Sequence, residues 1–573
     1  MSPLVITYAK TGVALLPAVA LLIWRGVVRM KQGGPGRAIA WWFGALMGVG
    51  FGAALPFAVP EDTKRWAPFR IAREVLRFST LAAGVVFLLF VLAALLPLIL
   101  DALENRSFAS FVGARHVRAT KSGFLTVISV LSMAGVAVSS CALCSVTSIM
   151  GGFGADLKRK ILNNNAHIIV DVTRPGGFSN WEDKLGTIRA AIEPHGGKAT
   201  PVAGGDAMGS SASNTAGTLV RGIDPKTIGD VIDLEKNIEV GRFEYLTSPD
   251  KLAELPADEV IGRGPGGEPT FKGPDMRGSP DIDPSLRQFF KRDVKVLPGV
   301  IIGKELAKSL HILVGDEMSL LSPIGELGPT GVIPRTRRFR VAAIFYSGMY
   351  EYDATHAYVL MEDAQKLFSL RDVDSHIDKI TNIDIRVPDA EKVKELRGFV
   401  DAAIANMPVD GSKGAEIRAR DWMEMNKNLF SALKLEKLAT FIILSIAIAV
   451  ASFCIVCTLL LMVTEKGKEI AILKALGATN GAIMRTFMLE GVVIGGIGTV
   501  FGVGTALATC TGLAWFGVRL DPDVYYIDRL PVNVNPSDYA LVALAALVIC
   551  TIATIYPAKT ASELHPLEGL RWE

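Results

Sequence analysis

Two uncharged apolar runs, Leu438–Val463 and Gly491–Val518, enclose a charged, helix-forming segment, TEKGKEIAILKALGATNGAIMRTFML, from Thr464 to Leu489. Crossing a bilayer takes about 20 apolar residues. Both runs therefore read as membrane spans, and the segment between them has to serve something in water. That segment is amphipathic. Ile470, Leu473 and Leu476 are spaced for one helical face, with Glu465, Lys468, Glu469 and Lys474 distributed around it. Gly477 follows as a stop signal. Such a helix either lies on lipid headgroups or docks on a soluble partner.

Five more runs share this character: Leu4–Ile23, Ala38–Val59, Ser79–Leu100, Gly123–Met150 and Tyr539–Pro557. Lys10 and Pro17 interrupt the first. It does not read as a signal peptide, because its basic residues, Arg25 and Arg29, follow the apolar stretch rather than precede it. With 50% hydrophobic and only 20% charged residues, the composition suits a membrane protein with a large water-soluble part. The loop with Arg25, Arg29, Lys31 and Arg37 should face the cytoplasm, as should the one with Arg106, Arg115, Arg118 and Lys121. The 464–486 loop and the C-terminal tail then fall on the same side, and the segment from Gly151 to Glu436 falls outside.

All six cysteines lie inside predicted spans, so disulfides cannot stabilise the external segment. Cys141-x-x-Cys144 and Cys454-x-x-Cys457 have metal-like spacing, but in hydrocarbon they read as small packing residues. Gly44, Gly48 and Gly52 repeat at helical spacing and permit close helix contact. The external segment, about 280 residues, is long enough for two lobes with their own cores. Strand-like His167–Val172, Thr218–Ile223 and Asn382–Val387 alternate with helical Asn180–Glu193 and Glu391–Ala405, which predicts an α+β fold. Gly262–Pro284 reads as a Gly/Pro-rich loop. Ala419–Lys437, with Trp422, Met425, Leu429 and Leu433 on one face, predicts a helix feeding into the span at Leu438.

KEIAILKALGAT closely resembles the cytoplasmic coupling helix of the lipoprotein-releasing permeases, the LolC/LolE family within the MacB-like ABC-transporter permeases. FVGARHVRA, within the amphipathic elbow Phe108–Thr120, is similar to the segment with which that family enters the membrane. PGVIIGKELAKSLHILVGDEMSLLSP (Pro298–Pro323), GMYEYD (Gly348–Asp353) and HPLEGLRWE at the C-terminus carry the likeness onward. It covers Phe108–Glu573, leaving the first hundred residues outside. The fold it implies is an α-helical membrane protein with a large α+β periplasmic domain and a four-span MacB-like core, to which the apolar runs before Phe108 add about three extra N-terminal spans. In domains, that is 1–105 for the extension, 106–150 for the elbow and first core span, 151–436 for the periplasmic part and 437–573 for the remaining spans.

The resemblance also implies site residues. An ABC ATPase subunit, binding ATP and Mg2+, would dock on Lys468, Glu469, Ile470, Leu473, Lys474, Leu476, Gly477 and Ala478. Between strand-like Glu317–Leu321 and Phe339–Phe345 lies IGELGPTGVIPRTRRF, which on its own reads as a hairpin loop. In the LolC type the corresponding loop is a hook for a periplasmic lipoprotein carrier. That places the hook at Pro329, Thr330, Gly331, Val332, Ile333 and Pro334, with Arg337 as a basic pad. Other implied partners are a second permease subunit, the same or paralogous, lipoprotein substrates and membrane lipid. Acyl chains would lie between the spans at Gly123–Met150 and Leu438–Val463.

The sequence carries no Walker A loop, no H-E-x-x-H and no G-x-S-x-G, so it offers no site for catalysis by this chain. Gly262-x-Gly264-x-x-Gly267 leads into Glu268-Pro269 rather than a helix, which rules out a dinucleotide loop. The net charge of +3 says little about partners, and no run of basic residues with interleaved aromatics suggests nucleic acid. Two other functions fit the same spans: a MacB-like exporter of peptides or small molecules, and a non-transporting regulator that relays ATPase state. Neither would carry a carrier hook.

Overall fold

The computed structural model describes residues 15–31, 35–58, 71–104, 123–173, 177–264, 268–273, 296–328, 331–370, 378–405, 407, 416–518, 520, 525–527 and 529–565. The elbow at Phe108–Thr120 lies outside them. The chain divides into two compact units. One comprises Met1–Asp156, Ser431–Asp521 and Asp528–Glu573; the other comprises Leu157–Phe430 and Pro522–Ile527.

The first unit is helical. Its helices are α1 (Leu16–Lys31), α2 (Pro35–Ala58), α3 (Ile71–Glu104), α4 (Gly123–Asn164), α5 (Lys427–Glu465), α6 (Gly467–Ala475), α7 (Asn480–Phe516) and α8 (Pro536–Glu563). Among the described residues, six stretches are long and apolar enough to cross a membrane: Ala38–Ala58, Ile71–Leu95, Ile128–Asn164, Lys427–Glu465, Asn480–Phe516 and Pro536–Glu563. Each overlaps one of the apolar runs. The run Leu4–Ile23 lies partly outside the described residues. The rest of it starts the 16-residue α1, which continues past Arg25 and Arg29 to Lys31.

Glycine sets the helix spacing. On α2 a Cβ at Gly44 would meet the Phe90 ring of α3 at 2.5 Å, and one at Gly48 would meet the Phe87 ring at 2.5 Å. Gly84 of α3 receives the Phe51 ring of α2 in return. Gly52 shares the spacing but has only Leu15 near it, at 3.9 Å. In the core bundle one face of α7 does the same work. Gly491 and Gly495 lie against Thr554 and Cys550 of α8, and Gly498 and Gly502 against the backbone of α4 at Met133 and Ala137. Ser132 of α4 and Thr458 of α5 share a buried hydrogen bond of 2.8 Å. The two spans expected to enclose acyl chains are thus in direct contact at this level. Of the cysteines, Cys144, Cys510 and Cys550 are buried in the bundle, and all six are free thiols.

The second unit is built on one ten-stranded sheet. Its first strands are β1 (Ile168–Val172), β2 (Lys198–Ser210), β3 (Thr215–Ile223) and β4 (Ile238–Gly241). A separate two-stranded ribbon follows, β5 (Val260–Arg263) with β6 (Pro269–Phe271), which begins just ahead of the segment expected to be loop and runs into it. The sheet resumes with β7 (Gly299–Gly303), β8 (Glu317–Gly328), β9 (Gly331–Phe345), β10 (His356–Leu360), β11 (Asn382–Arg386) and β12 (Ile417–Asp421). Strand order is β12-β1-β11-β2-β3-β10-β7-β9-β4, with β8 paired to β2 and β9. Among the described residues, only the β3/β10 and β7/β9 pairs are parallel.

The expected α+β character holds, and the two lobes are two cores on a single sheet. One core gathers Val220, Ile301, Leu306, Phe339 and Phe368. The other gathers Ile383 and Ile385 with Ile188 and Ile192 from helix Trp181–Ile192 and Val393 and Val400 from helix Val393–Ile404. A buried ion pair, Arg221 to Asp384, bridges β3 and β11 across β2. In GMYEYD, Asp353 is fully buried and accepts the Ser347 N–H at 2.8 Å; burial pushes its carboxyl up to about 6.

The helix expected over Ala419–Lys437 is corrected. Ile417–Asp421 is an edge strand pairing with β1, Ala419 opposite Val170. The Asp421 side chain then caps the single turn Trp422–Met425 by accepting the Glu424 N–H, and α5 starts at Lys427. Trp422 is drawn into the second core, so tertiary packing overrides the helical spacing.

Gly48→Val forces a branched side chain into the Phe87 ring and should lower the stability of the α2–α3 pair by about 2 kcal/mol. Gly50→Val, where nothing lies within 4 Å, should change it by less than about 0.5 kcal/mol. Thermal unfolding of both variants in detergent checks the difference.

Candidate functional site

The turn between α5 and α7 holds all eight coupling candidates. α5 ends at Glu465, and Lys466 bends the chain into α6, its ammonium reaching Glu469 at 2.5 Å. The end of α6 closes in two bonds: the Gly477 N–H donates to the Lys474 carbonyl and the Ala478 N–H to the Leu473 carbonyl. Gly477 sits at φ +99, a left-handed conformation that side chains resist. Thr479 then caps α7, its hydroxyl accepting the Ala482 N–H.

The expected single face of Ile470, Leu473 and Leu476 is split. Ile470 is 3% exposed and packs with Val463 of α5, Ile483 and Phe487 of α7, and Ala558 and Ala561 of α8. Lys474 also turns inward, donating to the carbonyls of Ser562 (2.6 Å) and Leu564 (2.8 Å) at the end of α8. These two residues anchor the turn. Its outer face carries Leu473 (39% exposed), Leu476 (80%) and Ile472 (49%), beside the exposed Lys468 and Glu469. Ile472 was missed in the sequence. Its spacing to Leu473 and Leu476, one and four residues on, is as helical as the pattern that was read.

The second candidate site is the β8–β9 ribbon. Ile324–Phe339, expected as a loop, is corrected: Ile324–Gly328 and Gly331–Phe339 are strand, and Gly331, Val332, Ile333 and Pro334 belong to β9. Pro329 and Thr330 lie outside the described residues. Near its end Leu327 pairs with Val332 and Glu326 with Ile333; nearer the base Ser322 pairs with Arg335. The register shifts between Ser322 and Glu326, next to Pro323, which has no N–H to give a ladder.

Side chains alternate across β9. Arg337 turns onto the helix Met361–Phe368 and donates to Asp363 at 2.5 Å. Burial raises the Asp363 carboxyl pKa, and Arg337 opposes that shift. Arg338, one residue on, is exposed on the other face. The pad residue expected from the sequence therefore already has a partner, and the exposed cation is its neighbour.

Apolar spans, a bent and anchored turn between two of them, and a large extramembrane sheet together define a membrane permease. Residues 441–566, which contain the turn, match the family FtsX-like permease C-terminal. The chain belongs to the LolC family of lipoprotein-releasing system transmembrane proteins. LolC of Neisseria meningitidis serogroup B (strain MC58) is 30% identical over 480 residues, covering 82% of this chain and 100% of that protein. LolE of Haemophilus influenzae is 28% identical over 282 residues, 48% of this chain and 64% of that protein. The macrolide export ATP-binding/permease protein MacB of Bdellovibrio bacteriovorus is 27% identical over 284 residues, 48% of this chain and 38% of its own length.

Ile470→Asp buries a charge among three helices and should cost about 2–4 kcal/mol. Leu473→Asp, on the exposed face, should stay within about 0.5 kcal/mol of the parent. The thermal midpoints of the two purified variants separate anchor from outer face.

Proposed function

We propose that this chain is the permease subunit of an ATP-driven complex that extracts lipoproteins from the inner membrane and passes them to a periplasmic carrier. The observation that carries this reading is the match to a LolC protein over that protein's whole length. In this reading the chain is not an enzyme. ATP and Mg2+ are bound by a separate ABC ATPase, and a second permease, of the LolC or LolE kind, completes the membrane part.

The anchored turn fits an ATPase-docking role. Ile472, Leu473 and Leu476 offer the docking face, with Lys468 and Glu469 at its rim. Ile470 and Lys474 tie it to the ends of α5, α7 and α8, so a push on α6 reaches all three helices. α5 is one helix of 39 residues and gives displacement of α6 an unbroken path along the chain. Basic residues at the ends of the spans place α6 in the cytoplasm and the sheet unit in the periplasm. With the extension, seven spans satisfy that orientation. Because α4 and α5 meet at Ser132 and Thr458, acyl chains are assigned to the exposed outer faces around Val138, Ile443 and Ile446 rather than between the two helices.

The β8–β9 ribbon serves as the hook. A paired ribbon loses little entropy on binding, and in this reading Val332 and Ile333 of the hook segment Pro329–Pro334 act as its apolar tip. Arg337 and Arg338 form the pad. Arg338 contributes more, because Arg337 must first leave Asp363.

Replacing Val332 and Ile333 together with Asp would bury two unpaired charges in a carrier cavity and should lower capture at least about tenfold. Arg338→Glu should weaken capture more than Arg337→Glu and reduce its salt sensitivity. Photocrosslinking from position 332 to periplasmic proteins, alongside lipoprotein release from reconstituted vesicles, reads both effects. Normal release with a doubly charged tip would overturn the hook and return the chain to a MacB-like exporter.

A further inference from the structure

The N-terminal extension does more than pack. α3 crosses α7 where Gly512 has no side chain, and a Cβ there would strike Leu81. Beside this crossing is a cavity of about 810 Å3, walled by Leu15, Phe51, Leu81 and Leu88 from the extension and Ala508 and Trp515 from α7. That volume falls within the range of about 300–1,000 Å3 that holds small ligands. From Phe51 to Trp515, these walls lie on helices long and apolar enough to cross a membrane.

The lining is apolar, and the Thr511 hydroxyl within it donates to the Leu507 carbonyl of its own helix at 2.5 Å. Water would find few partners there, and an empty space would forfeit dispersion contacts along its whole wall. The medium around a membrane span is hydrocarbon. At the Trp515 end, α7 stops at Gly517, and the exposed Arg529 side chain lies over that glycine. Trp and Arg at a helix end are what a headgroup layer meets.

We infer that this cavity is a phospholipid site: one acyl chain fills the space between the extension and α7, and the lipid phosphate meets Arg529. It requires that these helices span a bilayer and does not depend on the lipoprotein-release reading. The bound lipid would complete the wall of α7 and give the extension a binding role in the fold.

The test uses the full-length chain with its co-purifying subunits, in phosphatidylethanolamine nanodiscs doped with phosphatidylglycerol bearing a diazirine on one acyl chain. Light expels N2, and the carbene inserts into a neighbouring C–H bond. Label should concentrate on peptides spanning Leu81–Leu88 and Ala508–Trp515, above that on the exposed Leu541 and Leu544 of α8. Ala508→Trp fills the cavity and should cut labelling there about tenfold, a change worth about 1.4 kcal/mol, with Leu544 unaffected. If that variant fails to assemble, Val85→Phe narrows the same space. Arg529→Gln should reduce cavity labelling by phosphatidylglycerol about fivefold, and leave a diacylglycerol probe unchanged, as the loss of about 1 kcal/mol per basic residue predicts. Cavity label no greater than at Leu544, or label indifferent to the filling variants, would overturn the site. Label displaced by an acylated lipoprotein rather than by phosphatidylglycerol would also overturn it, by giving the cavity to substrate.

Discussion

The helical core depends on one face of α7. In a bilayer no hydrophobic force draws helices together, so association rests on how closely backbones approach. Gly491 and Gly495 admit α8, and Gly498 and Gly502 admit α4. Polar pairs then fix the register: Ser132 with Thr458 between α4 and α5, and Ser148 with Tyr539 between α4 and α8 at 2.9 Å. Such bonds contribute about 0.6 kcal/mol each in membrane proteins, so they select an alignment more than they hold the bundle. With α5, α7 and α8 set this way, their ends converge on the small cluster around Val463, Phe487 and Ala558, and α6 can rest on all of them through one isoleucine.

That arrangement separates two jobs that a sequence pattern merges. Ile470 and Lys474 face inward and bind the turn to its own chain, while Ile472, Leu473 and Leu476 face out. The turn is therefore firm underneath, where it meets α5, α7 and α8, and apolar on top. The β8–β9 ribbon shows the same division, with Arg337 held by Asp363 and Arg338 exposed.

Much of the architecture was legible because it rests on periodicity and composition. Six apolar runs became long helices, and the strands at Ile168, Thr215 and Asn382 lie within a few residues of their expected positions. The Gly44 and Gly48 stripe packs as expected. The failures have identifiable causes. Ala419–Asp421 was expected to begin the helix whose spacing starts at Trp422, but pairing with β1 decided its state. Gly331 and Pro334 read as loop, yet a two-stranded ribbon tolerates them at its ends and bulges. The sides faced by Ile470 and Arg337 depended on α8 and on the helix Met361–Phe368, each distant in sequence, and no local pattern encodes such partners.

The ribbon has a further consequence for the solubility of the sheet unit. β8 pairs with β2 only over Ser319–Leu321, and β9 pairs with β7 and β4 only from Arg340 to Phe345. Outward from Ser322 and Arg335, both edges of the ribbon lack a further strand among the described residues. Open edges of this kind template strand addition and aggregation. Pro323 and Pro334, one on each strand and both exposed, leave each strand one amide short of a continuous ladder. Prolines on both strands thus limit how far the ribbon can zip onto copies of itself.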